Sequence, residues 1–332
     1  MTDPAPRRGT GVEDYAAGLL AGNRGMLARA ITLVESRRPE HAATAAALIN
    51  LLLPHTGRSI RIGLTGVPGA GKSALIEALG SWLTARRHRV AVLSIDPSST
   101  RSGGSLLGDK TRMTRLSTDP NAFIRPSPSG LVLGGIARTT RETMLLCEAS
   151  GYDVVLIETV GVGQSEVSVA DMTDFVVVLM LAGAGDALQG IKRGLLESAD
   201  MIAITKADGD NIPACRRAVT QYTFAMHLLR EPGEPEAAVV MCSALAGTGL
   251  ERIWEIIVER QAEREASGAL AARRARQNTV WMWSLVEQHI RARLNAGAAA
   301  AEIERAVRAG RLSAVRGAEA IIGALGVAGE EK

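Results

Sequence analysis

Six short apolar runs, at 60–64, 90–95, 153–158, 175–181, 201–205 and 237–242, punctuate the middle of the chain, and most are rich in Val and Ile. Runs that are continuously apolar rather than alternating predict strands buried on both faces. Helical stretches lie between them, which predicts a parallel sheet with right-handed crossovers and a ligand site at its carboxyl edge. Before the first run, apolar residues recur at helical spacing, as in Met26, Ala30, Ile31 and Val34 and then Ala46, Ile49, Leu52 and Leu53. With Pro39 and Pro54 as punctuation, this predicts two or three short helices. Residues 1–10 read as disordered. After Leu250 strand signals vanish and Ala, Arg, Glu and Leu dominate. A long helix is expected over 279–294, with a break around Asn278. Residues 300–309 and 313–325 are expected to form a helical hairpin around Gly310. A helical tail with apolar stripes and little body of its own predicts packing on a second copy, with folding back on its own domain as the other reading. The domain reading is an N-terminal helical extension over 1–57, a nucleotide-binding domain over 58–260 and a C-terminal helical dimerisation arm over 261–332.

The chemistry starts at the end of the first run. Gly66-Val67-Pro68-Gly69-Ala70-Gly71-Lys72-Ser73 fits G-x-x-x-x-G-K-[ST], preceded by a predicted strand and leading through Ala74 into a predicted helix. Glycines let backbone N–H groups close around phosphate oxygens, and the new helix aims its positive end at the same anion. Lys72 supplies charge for the β- and γ-phosphates, and Ser73 a hydroxyl for Mg²⁺. The expected fold class is therefore α/β, a P-loop NTPase G domain with a mostly parallel sheet, flanked by N- and C-terminal helical extensions.

Glu158 closes a predicted strand and is followed by Gly161, so the pair is expected at the Mg²⁺ shell and the γ-phosphate. Thr205-Lys206-Ala207-Asp208 resembles the guanine-reading N-K-x-D element with Thr for Asn, and Ser243-Ala244-Leu245 matches the S-A-x element that supports guanine O6. Asp208 is expected to accept from guanine donors that adenine lacks, and Lys206 to pack along the base. Asp96 and Asp109 are metal-shell or water-positioning candidates, with solvated turn carboxylates as the other reading. The loop 183–194 mixes hinge glycines with Asp186, Gln189 and Lys192. It reads either as a segment that reorders with nucleotide or as a plain helix start.

Composition narrows the classes. A net charge of +3 over 332 residues and 3% aromatics argue against a nucleic-acid or membrane partner. Three dispersed cysteines without C-x-x-C point to reduced thiols in a cytoplasmic protein, and five scattered histidines outline no zinc or nickel site. The longest apolar run, 175–184, is too short to span a bilayer.

Taken together, GLTGVPGAGKS, SIDPSSTRSGGSLLGDKTRM, VVLIETVGVGQSE, GAGDALQGIKRG, TKAD and SAL closely resemble the MeaB/ArgK family of P-loop GTPases. The resemblance covers nearly the whole chain, and Thr205 for Asn is usual in it. It implies a Mg²⁺-dependent GTPase, cycling between GTP and GDP, that is a homodimeric chaperone of adenosylcobalamin-dependent methylmalonyl-CoA mutase. Such a chaperone gates cofactor loading and protects or reactivates the mutase. The resemblance places Lys72, Asp96, Asp109 and Glu158 in the hydrolytic environment, with Ser73, Asp96, Asp109 and Glu158 near the metal. It makes Asp186, Gln189 and Lys192 a switch that signals to the mutase. Two rival readings are weaker. A nickel metallochaperone normally carries a His-rich or Cys-containing metal motif. An ATP-dependent kinase of amino-acid transport does not account for Asp208 and Ser243.

Overall fold

The computed structural model describes residues 11–36, 38–95, 113–126, 133–159, 169–183, 196–230, 236–296 and 298–324. Three helices come first: α1 (Val12–Leu20), α2 (Arg24–Glu35) and α3 (Pro39–Leu52). Local chemistry sets their starts. The Asn23 carboxamide oxygen accepts from the Met26 N–H at 3.0 Å and caps α2. Pro39 opens α3 where a missing N–H costs nothing.

The strands are β1 (Ile60–Gly66), β2 (Val90–Ile95), β3 (Ala122–Arg125), β4 (Val154–Thr159), β5 (Phe175–Leu181), β6 (Met201–Thr205) and β7 (Ala238–Met241). They form one sheet in the order β3-β2-β4-β1-β5-β6-β7, and every pairing is parallel. The strand β3 is additional to the six expected. Among the described helices, α4 (Lys72–Thr84), α5 (Thr114–Thr118), α6 (Leu133–Ala149), α7 (Ile212–Leu229) and α8 (Leu250–Ala266) are interspersed with or follow these strands.

Alternate residues of the strands serve opposite faces, as the pleat requires. Ile62, Leu64, Val92, Leu156 and Val177 pack with Leu75, Ile76 and Leu79 of α4 and Ile253 and Ile257 of α8. Ala91, Leu93, Val155 and Ile157 on the other face meet α6 and the three N-terminal helices through Leu27, Ile31, Leu48 and Leu146. The helical extension is thus part of the same core cluster as the outer half of the sheet. Val178, Ile202 and Ile204 pack with Cys215 and Tyr222 of α7.

At the amino edge of the sheet, opposite the P-loop, lies a buried ionic network. Arg61 donates from Nε and Nη2 to the two carboxylate oxygens of Glu148 at 2.7 and 2.9 Å. Glu148 also accepts from the Ser59 hydroxyl and, at 2.8 Å, from the Gly57 N–H. Asp174 accepts from the Arg61 N–H at 2.9 Å and from Arg274 Nε at 2.8 Å. Burial opposes the ionised form of Glu148, but Arg61, Ser59 and the Gly57 N–H outweigh it and hold the carboxyl below its ordinary value. A carboxyl lowered on folding stabilises the fold above its unfolded pKa. That stability is lost as pH falls through the folded pKa, below about 4.5. Ser59→Ala removes one donor, so it should cost about 1 kcal/mol at neutral pH and move acid unfolding to higher pH. Urea unfolding at a series of pH values checks both; an unchanged acid limb would remove Ser59 from the account.

The chain divides into two compact units, Met1–Arg274 and Ala275–Lys332. A single helix, α9 (Ala269–Ala296), runs uninterrupted through Asn278, which corrects the expected break there. In the second unit, α10 (Ala298–Arg308) and α11 (Ala314–Ala324) form the expected hairpin. Gly310 sits at φ +67°, and the N–H groups of Gly310 and Arg311 donate to the carbonyls of Val307 and Ala306 at 3.0 and 2.9 Å. This left-handed cap stops α10 and turns the chain. Among the described residues no helix is long and apolar enough to cross a membrane.

Candidate functional site

Because all strands are parallel, Gly66, Thr159, Leu181 and Thr205 end at one edge of the sheet. Gly66 is fixed by crowding. Its φ is +141°, and a Cβ there would lie 2.2 Å from the Leu179 carbonyl oxygen of β5, so only glycine fits. The chain then turns through Gly71 at φ +86°, from which α4 starts at Lys72. The helix bond from the Leu75 N–H to the Gly71 carbonyl, 2.9 Å, leaves the positive end of α4 facing the loop.

Lys72 reaches back over this turn. Its Nζ donates to the carbonyls of Gly66 and Val67 at 2.9 and 3.3 Å, so the ammonium is held at the loop itself. The Ser73 hydroxyl donates to Oε1 of Glu158 at 2.9 Å. Glu158 belongs to β4 and lies between Leu64 of β1 and Ser94 of β2. Ammonium and hydroxyl thus come from one helix start, and the carboxylate from the end of β4. Pro68, Gly69 and Ala74 are exposed at this rim, and Ala70 is buried beneath it.

The second half of the site is built by β6 and β7. The Thr205 hydroxyl lies 2.7 Å from the Ala70 carbonyl and 3.1 Å from the Met180 carbonyl. It ties the turn after β6 directly to the P-loop. Lys206 is exposed and adopts φ +56°. The Ser243 hydroxyl donates to Oδ2 of Asp208 and accepts from the Ala246 N–H at 3.0 Å. The Ala207 N–H donates to the Cys242 carbonyl at 3.1 Å, so the two loops are joined through backbone as well. Ser243 is buried, Ala244 is half-buried and Leu245 is 90% exposed, so the turn rises to the surface at Leu245.

The structure therefore brings Gly66, Val67, Pro68, Gly69, Ala70, Gly71, Lys72, Ser73, Ala74 and Glu158 together, and separately Lys206, Asp208, Ser243, Ala244 and Leu245. Asp96, Asp109, Gly161, Asp186, Gln189 and Lys192 lie outside the described residues. The chain enters those stretches from Ile95, Thr159 and Gly183, at or just beyond the ends of β2, β4 and β5. The bridging role of Thr205 was missed by sequence reasoning, which noted only that Thr stands for Asn. A second missed contact is Glu77 of α4, which accepts from the Arg115 N–H at 2.7 Å and fastens the start of α5.

Comparison with known proteins decides the family. Residues 27–299 match the family model of the methylmalonyl Co-A mutase-associated GTPase MeaB. The chain belongs to the MeaB family. A Caulobacter vibrioides protein named as a GTPase is 52% identical over 315 residues, which cover 93% of this chain and 96% of that one. A mouse protein, the mitochondrial methylmalonic aciduria type A homolog, is 46% identical, with 94% of this chain and 79% of that one covered. The solved structure of a LAO/AO transport system kinase superposes with a TM-score of 0.75 at 37% identity, covering 98% of this chain and all of that one. Like other MeaB-family members, this chain is a GTP-hydrolysing P-loop enzyme.

Proposed function

We propose that this GTPase is a chaperone of an adenosylcobalamin-dependent methylmalonyl-CoA mutase, gating cofactor loading and protecting or reactivating the mutase. The observation that carries the reading is a guanine-type P-loop site in a chain matched to a mutase-associated family over 27–299. The mouse relative's name, which refers to methylmalonic aciduria, supports the same reading. In this proposal Lys72 balances charge that develops on the transferring phosphoryl group, while the P-loop and first-turn amides orient the phosphates. Asp208 accepts from guanine, Lys206 packs along the base and the Ser243–Leu245 backbone meets O6.

The residues present fit Mg²⁺, since Ser73 and Glu158 set a hydroxyl and a carboxylate 2.9 Å apart, a hard-oxygen pair suited to it. These two, with Asp96 and Asp109 as further candidates, would hold the ion. Bound with nucleotide, Mg²⁺ neutralises phosphate charge. Gly161 is assigned to the γ-phosphate, and Asp186, Gln189 and Lys192 to signalling toward the mutase. Dimerisation through the C-terminal helices is part of the same proposal. It is supported by α9, where Val280, Trp283 and Ile290 are 50%, 58% and 44% exposed. The cytoplasm is the proposed compartment. The kinase reading attached to the solved relative would require adenine nucleotide, and the Asp208–Ser243 arrangement supports guanine instead.

Lys192→Ala tests the signalling half. GTP affinity should stay within about twofold, while mutase-stimulated hydrolysis and gating of cofactor transfer should each weaken about tenfold or more. Rates measured with the mutase present, beside cofactor-transfer assays, decide it. Unchanged stimulation and gating would reduce 183–194 to a structural connection.

A further inference from the structure

We propose that Asn211 is a positioning residue for guanine reading, holding Lys206 in its left-handed turn and thereby aiming Asp208. The inference rests on the assignment of Asp208 as the base-reading carboxylate. Among the described residues only Arg87 and Lys206 have positive φ without being glycine. A left-handed backbone at Lys206 costs about 1–2 kcal/mol and persists only where neighbours impose it.

Asn211 supplies that constraint from both ends. Its carboxamide Nδ2 donates to the Lys206 carbonyl at 2.8 Å, and its backbone N–H donates to the Asp208 carbonyl at 3.1 Å. One residue thus closes the turn on each side of Ala207. A thiol contact backs the carboxamide, with Nδ2 3.4 Å from Cys215 Sγ. That thiol lies 3.8 Å from the carbonyls of both Thr205 and Lys206.

The competing role for Asn211 is helix capping, because it stands at the N-cap of α7. An N-cap Asn ordinarily accepts from the N–H two or three residues on. Here the second helical residue is Pro213, which has no N–H, and the Asn211 side chain makes no cap bond. The carboxamide is committed to the turn instead, as a donor. Ser243 acts on the same carboxylate from the other side. These contacts all come from the chain itself, and preorganisation of this kind adds affinity without touching the ligand.

Asn211→Ala and Asn211→Asp in the full chain separate the two roles. Asp is as good an N-cap as Asn but has no Nδ2 donor. Both variants should raise KM for GTP and Kd for GDP about tenfold, with kcat at saturating GTP within about twofold. Their preference for GTP over ITP, which lacks the exocyclic amine, should narrow. On an Asp208→Asn background, Asn211→Ala should add little further loss, because the two residues act through one contact. A lower melting temperature with unchanged KM and unchanged GTP-over-ITP preference would make Asn211 a structural residue and overturn the proposal. If Asp208→Asn itself left GTP affinity untouched, the base-reading assignment would fall first, and the proposal with it.

Discussion

Lys72→Ala should lower GTP turnover about 10³-fold, a loss of about 4 kcal/mol in transition-state stabilisation. The side chain is the cation at the turn where phosphate is expected, held by the Gly66 and Val67 carbonyls. Its ammonium therefore stands where charge builds on the transferring phosphoryl group. Alanine is a strong helix former, so α4 should still start at position 72 and melting should change little. Single-turnover hydrolysis at saturating GTP is the measurement, made with and without a partner, because the defect should appear in both. A variant that kept a tenth of the parent rate would show that the phosphoryl charge is met elsewhere.

Asp208→Asn should weaken GTP binding by about 2–4 kcal/mol and turn preference toward xanthine nucleotide. The carboxylate offers only acceptors, matching N1–H and the exocyclic amine of guanine, whereas an amide presents a donor to one of them. The carboxylate of Asp208 is oriented by the Ser243 hydroxyl, so the exchange also disturbs that contact. Competition binding with GTP, XTP and ATP reads the effect. Equal affinity of the unmodified chain for ATP and GTP would contradict the base-reading assignment outright.

What the sequence made legible followed from how local each signal is. The P-loop is contiguous, and its strand–loop–helix setting lies within 60–84. Doubly buried strands announce themselves as unbroken Val/Ile runs, and all six expected strands are present within a residue or two of their expected limits. The seventh, Ala122–Arg125, is four residues long at a sheet edge, paired only with β2, too short for periodicity to register. Asn278 was over-read as a breaker. Asn costs a helix interior less than about 0.7 kcal/mol, and the flanking residues of the 28-residue α9 override it.

In the site, the residues assigned to nucleotide can be named from type and position, while those that hold them in place cannot. Thr205 reaches a P-loop carbonyl 135 positions away. Such a contact depends on β1, β5 and β6 lying side by side in register. Asn211 stands at the N-cap of α7, and only the missing cap bond together with the Lys206 contact gives it another role.

Coupling of GTP hydrolysis to a mutase is the step on which the proposed function depends. The most direct measurement is steady-state GTP turnover by the purified protein, alone and with increasing adenosylcobalamin-dependent methylmalonyl-CoA mutase. Basal turnover should be slow and rise saturably with mutase, by about tenfold or more, with no such rise for Lys72→Ala. A fast basal rate that no concentration of mutase alters would contradict it.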